Sequence, residues 1–393
     1  MIRRINLENL EEYLIFHRRY LHEHPEIGFN LPNTHDYIQL ELKKLGIDVI
    51  PHVGINSLIG IIKNGDGPVI GLRADMDALP INEENNHLEY CSKTLNAMHA
   101  CGHDAHTAIL LTTAAYLVSH LKLWKGTVKL IFQEAEEGPD PGGASGIIKS
   151  GLLDDVSVFF GLHCGPQIPT GKFAIKDNAA MASADYVKIK LIGKGTHAAY
   201  PHLGSDPIIM QAETIVAIQS IVSRLIDPTE NCVITIAHVE AGSTHNVIPE
   251  SAFLEGTVRA FSLEVRKKIE KAIEDVISGI TRRYNGSYEY QYIYGYDALI
   301  NQPKPTSFLK NTILDVFGND ALIELDKPSM GAEDFSKYII YKTGSFVWLG
   351  TNIDASTAYG LHHPKFNVDE YALMNGVLLF VNLVIKNQNI KEI

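Results

Sequence analysis

The chain is poor in cysteine: Cys91, Cys101, Cys164 and Cys232 are its whole complement in 393 residues. That is too few for a disulfide framework, so free thiols in a reducing compartment are expected. Positive charge is also scarce. Lys and Arg number 34 against 46 Asp and Glu, which gives a formal charge of −12 with no basic tract. This argues against nucleic acid and against anionic membrane surfaces as partners. No apolar run reaches membrane-spanning length. The opening MIRRINLENLEEYLIF brings acidic residues soon after its arginines and lacks a long apolar core and a small-residue cleavage site. It does not read as a signal peptide, and the expected location is cytoplasmic. There is no internal repeat and no low-complexity segment. What remains is a globular composition in a chain too long for one ordinary core, so two domains are expected.

Histidine, by contrast, is abundant at 17 residues, and many fall in short clusters. The densest is Met98 to Thr107, MHACGHDAHT, which holds Cys101, His99, His103 and His106, with Asp104 among them. Packing does not explain a thiol and three imidazoles beside small residues, but one wall of a metal site does.

Taken in order, residues 7 to 46 read as two helices, the first stopping at Pro25 and the second running from an N-cap at Thr34 to Gly46. Short β-branched runs follow. Val69 to Ala74 reads as a buried strand with Asp75 and Asp77 just past its end. HTAILLTTAAYLVSHL is a strongly apolar helix, and TVKLIFQ is a strand that leads to Glu134, Glu136 and Glu137. GPDPGG is a loop, ASGIIKSGLL a short helix, and VSVFFGLHC a strand with His163 at its end. Strands alternating with helices imply an α/β fold, a mostly parallel sheet flanked by helices. Ligands of such sheets bind outside the carboxyl ends of the strands, where three strands place acidic or metal-binding groups.

The pattern changes near Asp177. Residues 177–295 read as strand, helix, two strands, long helix and strand, an inserted α+β lid of β-α-β-β-α-β order. The expected division is thus a metal-binding catalytic domain at 1–176, a lid at 177–295, and the rest of the catalytic domain at 296–393, closing on the helix EYALMNGVLLFVNLVIKN.

Borderline divalent ions take thiolate, imidazole and carboxylate. Asp75, Cys101, His103, Glu136, Glu137, His163 and His362 are candidates, more than one ion needs. Two ions sharing a bridging ligand and a water are therefore expected. Such a centre also needs a carboxylate free to carry a proton, and Glu136 and Glu137 could divide the two jobs. In the inserted segment, His197, His202, His245, Asn246 and Arg259 match in type two further needs: a donor to a developing oxyanion and a planar cation for a substrate carboxylate.

GLRADMDALPI, MHACGHDAHT, QEAEEG, GLHCGP, GTHAAYPH, HNVIPE, GTVRAF, MGAEDFS and LHHPKFNVDE, in this order, resemble the M20 family of metallopeptidases. The similarity is to the amidohydrolase branch that includes hippurate hydrolase, N-acetyl-diaminopimelate deacetylase and the indole-acetyl-amino-acid hydrolases. It runs from LHEHPEIGF to NVDE, nearly the whole chain. The resemblance implies a dinuclear site with Cys101, His103, Glu137, His163 and His362 as ligands, and His363 as fallback for the last. It implies Glu136 as general base and His197 as oxyanion donor, acting within its own subunit or from a partner. Asn246 and Arg259 would hold substrate. Asp75 and Asp77 stand where other branches carry a His-x-Asp ligand motif, and with Asp104 they would lie behind the ligands. The ions would be manganese or zinc, with cobalt or nickel admissible. The inserted domain often mediates homodimers in this family. Three departures stand out: Glu134 replaces a proline and adds charge near the base, Cys164 follows His163 directly, and Thr196 precedes His197 where glycine is commoner.

These readings lead to a metal-dependent amidohydrolase that cleaves N-acyl amino acids to a carboxylate and a free amino acid. A dipeptidase or aminopeptidase on the same scaffold is the alternative, and an inactive binding relative a more remote one.

Overall fold

The computed structural model describes residues 9–139, 141–352, 354 and 358–386. Residues 7 and 8 of the first expected helix, Asp140 of the GPDPGG loop and Asn387 at the end of the last helix lie outside them. The chain divides into two compact units. The first holds residues 1–180, 300–327 and 334–393, and the second holds 181–299 and 328–333. The second unit thus takes up a short segment, Pro328–Glu333, from far beyond the end of the expected insertion.

The first unit opens with helices α1 (Leu10–Glu23) and α2 (Pro32–Lys44), followed by strands β1 (Asp48–Val53), β2 (Ser57–Asn64) and β3 (Val69–Asp75). Next come α3 (His103–Ser119), β4 (Gly126–Gln133), α4 (Gly143–Lys149), β5 (Val158–Pro169) and β6 (Phe173–Ile175). The second unit contributes β7 (Ala184–Ile192), β8 (Thr196–His197), α5 (Pro207–Ser220), β9 (Cys232–Ala241), β10 (Val247–Ile248), β11 (Ser251–Ala260), α6 (Leu263–Arg283) and β12 (Ser287–Tyr296). The first unit then resumes with α7 (Pro303–Phe317), β13 (Leu322–Glu324), α8 (Ser336–Tyr341), β14 (Gly344–Asn352) and α9 (Leu373–Ile385).

The large sheet of the first unit runs β1-β2-β4-β3-β5-β14-β6-β13. Its middle is parallel: β4, β3, β5 and β14 all run the same way. β1 and β2 form an antiparallel hairpin on one side, and β6 reverses on the other. The helix α3 is apolar on every side, and Ala105, Ala108, Ile109, Leu110, Leu111, Ala114 and Ala115 are all fully buried. A helix of that kind must sit inside the core. Each buried Leu or Ile contributes about 1.5–3 kcal/mol relative to exposure. Burying α3 this way fixes its first residue, His103, at the sheet edge.

Several element boundaries differ from those expected, among them α2 and β5. Helix α2 starts at Pro32, not after a cap at Thr34, because the carboxylate of Glu26 accepts the amides of Asn33 (3.3 Å) and Thr34 (2.8 Å) from outside the helix. Strand β5 does not stop near His163 but runs on to Pro169, where β14 pairs with it along its length.

In the second unit, the antiparallel sheet runs β9-β11-β7-β12. Along the chain its main elements run β7-α5-β9-β11-α6-β12. Alternate residues of β7, Val187, Ile189 and Leu191, are buried, and meet Ile269, Ile273 and Ile277 of α6 in one core. The Ser262 hydroxyl caps α6 through the amide of Val265. Helix α5 continues through a π turn to Leu225, and this 19-residue run is long and apolar enough to cross a membrane. The expectation of no such run therefore fails, since Gln211, Glu213 and Gln219 interrupt the run to the eye without lowering its average enough. The helix packs on its own sheet through Met210, Thr214 and Ile218.

Candidate metal centre

Three adjacent parallel strands, β4, β3 and β5, carry functional groups at or beyond one edge of the sheet. Asp75, the last residue of β3, stands opposite Gln133, the last residue of β4. The chain then turns at Ala135, whose φ is 50°, and presents Glu136 and Glu137. Asp77 grips this turn, with one oxygen accepting the Glu136 amide at 2.9 Å and the other the Glu137 amide at 3.0 Å. Glu134 points elsewhere. Its carboxylate accepts the amides of Ile55 (2.9 Å) and Asn56, anchoring the β1–β2 turn. The charge expected near the base is spent on two backbone donors.

Cys101 and His103 flank Gly102, the residue before α3. Gly102 has φ +88°, and a Cβ there would lie 3.2 Å from the Cβ of Cys164, so backbone conformation and space both require glycine. The Cys164 thiol is buried in the hydrophobic core, and a Cβ on Gly102 would lie 3.3 Å from its Sγ. The backbone of His362, at φ 64°, donates to the Ala100 carbonyl and so ties a distant loop to the cysteine segment. His363 instead stacks on Tyr359, and its Nδ1 accepts the Lys365 amide.

These elements bring the seven candidate residues together, with Asp75 Oδ2 3.7 Å from His103 Nε2. Cys101 Sγ is 3.3 Å from His163 Nε2. His362 Nε2 is 3.1 Å from Glu137 Oε1. His103 Nε2 lies 3.8 Å from Glu136 and 3.9 Å from Glu137. Cys101, His103 and His163 form one group whose ligand atoms all lie within 4.8 Å of one another, and Cys101, Glu137 and His362 form another. Two such groups with Cys101 in common suit a pair of ions that share a ligand. Among the described residues, both ring nitrogens of His103 are buried without a hydrogen-bond partner, and Nδ1 faces Asp77 at 3.4 Å. Buried imidazole nitrogens left this way are costly unless something completes them. The donor set of thiol, imidazole and carboxylate fits divalent metal.

Without metal the groups lean on one another. Burial alone would lower the His103 imidazole, but Asp75, Asp77 and Glu137 outweigh it and raise it to about 10. Burial, with Glu137 and Glu136 alongside, pushes the Cys101 thiol well above its ordinary value. Burial would raise the Asp75 carboxyl, yet Arg73, His103 and His106 hold it well below the usual carboxylate range. Burial also lowers His106 to about 4, against the pull of Asp75.

Asp104 faces away from these groups and accepts Arg18 Nε at 3.0 Å, with His22 Nδ1 at 2.7 Å. It ties α1 to the start of α3. In the second unit, His197 and Asn246 line one pocket, held by the short pairing of β8 with β10. Arg259 lies on β11 outside that lining, its guanidinium donating to the Thr257 hydroxyl and the Val258 carbonyl. The sequence points to His106 only as part of the histidine cluster and gives no role to Arg73, Gln133 or Asp334, all buried beside the centre. An arginine inside the largely apolar strand VIGLRAD is the signal for Arg73.

A largely parallel sheet with thiol, imidazole and carboxylate converging at the carboxyl edge of its central strands defines a metal-dependent hydrolase. The model of peptidase family M20/M25/M40 matches residues 71–386, and the chain belongs to that family. N-acetyl-L-cysteine deacetylase of Bacillus subtilis is 39% identical over 372 residues, covering 94% of this chain and 87% of that one. IAA-amino acid hydrolase ILR1-like 4 of Arabidopsis thaliana is 37% identical over 377 residues, covering 95% and 85%. Among solved structures, the YXEP protein of Bacillus subtilis, a dinuclear metal binding peptidase from the M20 family, superposes with a TM-score of 0.85. It has 35% identity, and the match covers 97% of this chain and 99% of that one. The chain is thus an M20-type amidohydrolase.

Proposed function

We propose that this enzyme hydrolyses the amide bond of N-acyl amino acids: acyl-amino acid and water give a carboxylic acid and a free amino acid. The observation that carries the reading is the pair Glu136–Glu137. The two glutamates share one turn beside His103 and form a group with it, and Glu137 alone of the two also joins Cys101 and His362. One carboxylate can hold metal while its neighbour carries a proton.

Cys101, His103, Glu137, His163 and His362 would hold two divalent ions, which when bound acidify a water molecule and polarise the amide carbonyl. Thiolate and imidazole suit zinc, and the carboxylates admit manganese, cobalt or nickel. Glu136 takes the proton of the attacking water and delivers it to the leaving nitrogen, so that proton count and charge balance over the cycle. His197 donates to the developing oxyanion, in its own subunit or across a dimer. Asn246 and Arg259 hold the substrate, the guanidinium pairing with its carboxylate. The similarity to a deacetylase and to an IAA-amino acid hydrolase, each acting on a blocked amino acid by name, supports this substrate class.

The four cysteines are all free, which supports a cytoplasmic location. A homodimer through the second unit is proposed on two features. β9 is an edge strand of its sheet, and α5 leaves Ile209 and Val216 exposed.

The test is amine release from N-acetyl, N-benzoyl and indole-acetyl amino acids alongside free dipeptides, after reconstitution with manganese or zinc. Release from blocked substrates alone is expected. Release from free dipeptides alone would move the enzyme to the dipeptidase or aminopeptidase reading.

A further inference from the structure

Buried residues without a part in the proposed chemistry form one hydrogen-bonded chain that ends on His163. Asp334, from the MGAEDFS stretch, accepts Arg73 Nη2 at 2.7 Å and Gln133 Nε2 at 2.7 Å. Arg73 Nη1 donates to Asp75 Oδ2 at 2.6 Å. The other Asp75 oxygen lies 2.6 Å from His106 Nδ1. On the far side of that imidazole, the Cys164 amide donates to Nε2 at 2.8 Å. The carbonyl of the same Cys164 lies 2.8 Å from His163 Nδ1.

The partners dictate where the protons sit. A nitrogen that receives an N–H carries none, so the proton of His106 is on Nδ1 and goes to Asp75. A carbonyl only accepts, so His163 carries its proton on Nδ1 as well. The unprotonated nitrogen is then Nε2, and it is this atom that faces Cys101 Sγ at 3.3 Å. The ladder between β3 and β5 ends at the Arg73–Gly161 pair, and beyond it the Cys164 amide is satisfied by His106. Asp75, His103 and His106 also lie within ligand distance of one another. Both His106 nitrogens are already committed, however, and His106 does not serve as a ligand.

We infer that His106 is a positioning residue of the metal centre. Held by the Asp334–Arg73–Asp75 chain, it orients the Cys164 peptide, whose carbonyl in turn fixes the tautomer and ring direction of His163. The inference rests on the metal-centre reading above. Partners that orient a metal-binding histidine in this way change metal affinity by about 10–100-fold when removed.

Two substitutions separate the halves of the imidazole. His106→Gln keeps an acceptor near the Nε2 position and gives up the bond to Asp75. His106→Asn keeps a donor near Nδ1 and gives up the acceptor for Cys164. Manganese and zinc are titrated calorimetrically into metal-free protein, and bound metal per chain is counted after gel filtration. His106→Asn is expected to weaken binding by about 10–100-fold, and His106→Gln, which loses only the hold of Asp75, by no more than about several-fold. Equal losses in the two variants, or parental affinity in both, would overturn the inference. Should His106→Asn not fold, Asp334→Asn decides: a several-fold loss of affinity supports the chain, and none overturns it. A parent protein that binds neither metal would instead remove the metal-centre reading itself.

Discussion

Asp77 Oδ1 accepts the backbone N–H of Glu136 at 2.9 Å, and this bond sets where the proposed base stands. The second oxygen takes the Glu137 amide, so one buried carboxylate holds both glutamates by their main chain. Asp77→Asn puts an N–H donor against one of those amides. The expected result is a fall of about 10–100-fold in metal affinity or turnover, measured by metal titration and steady-state kinetics. A variant with parental values in both would show that the turn holds itself.

In the proposed reaction Glu136 carries the proton and Glu137 holds the metal. Glu136→Gln should therefore retain bound metal while turnover drops by about 10²–10⁴-fold. Elemental analysis and amine release on the same preparation check this. Retained turnover would shift the proton carrier to another group.

Metal uptake should depend on pH, with a definite sign. His103 is raised to about 10 and the Cys101 thiol higher than usual, so both are protonated at neutral pH in metal-free protein. Binding must expel those protons, and affinity should rise with pH across the neutral range. Calorimetry in buffers of different ionisation enthalpy reads the proton release directly, and affinity independent of pH would contradict it. The raised His103 has a second consequence. Its contribution to stability of the metal-free protein is fully present below its ordinary value of 6.5 and is lost as pH rises through about 10.

Arg18 and Asp104 form a fully buried pair, with His22 and Glu83 attached to it. Arg18→Met leaves Asp104 charged and underpaired, and a loss of about 3–5 kcal/mol is expected. Adding Asp104→Asn should restore part of it. Glu83 is held down to about 2, burial opposing and His22 favouring the charged form. Its share of stability is present above its ordinary 4.5 and fades as pH falls through about 2. Denaturant titrations of the parent and both variants across this acid range test the pair and the sign together.

The parallel middle of the sheet, and the candidate groups at its edge, were legible in the sequence. Apolar runs such as VIGLRAD and TVKLIFQ, alternating with helices, carry burial information along the chain itself, and they fall on β3 and β4. Cys101, His103 and the glutamate pair were legible because their spacing in sequence is their spacing in space. Only tertiary structure decided which distant group each polar atom meets. Nothing local says that Glu26 caps α2, that Glu134 turns toward Ile55 and Asn56, or that Arg73 meets Asp334, 261 residues away. Burial is a property of residue type and period, whereas a hydrogen bond needs a particular partner at a particular angle. That partner is supplied by the packing of other elements.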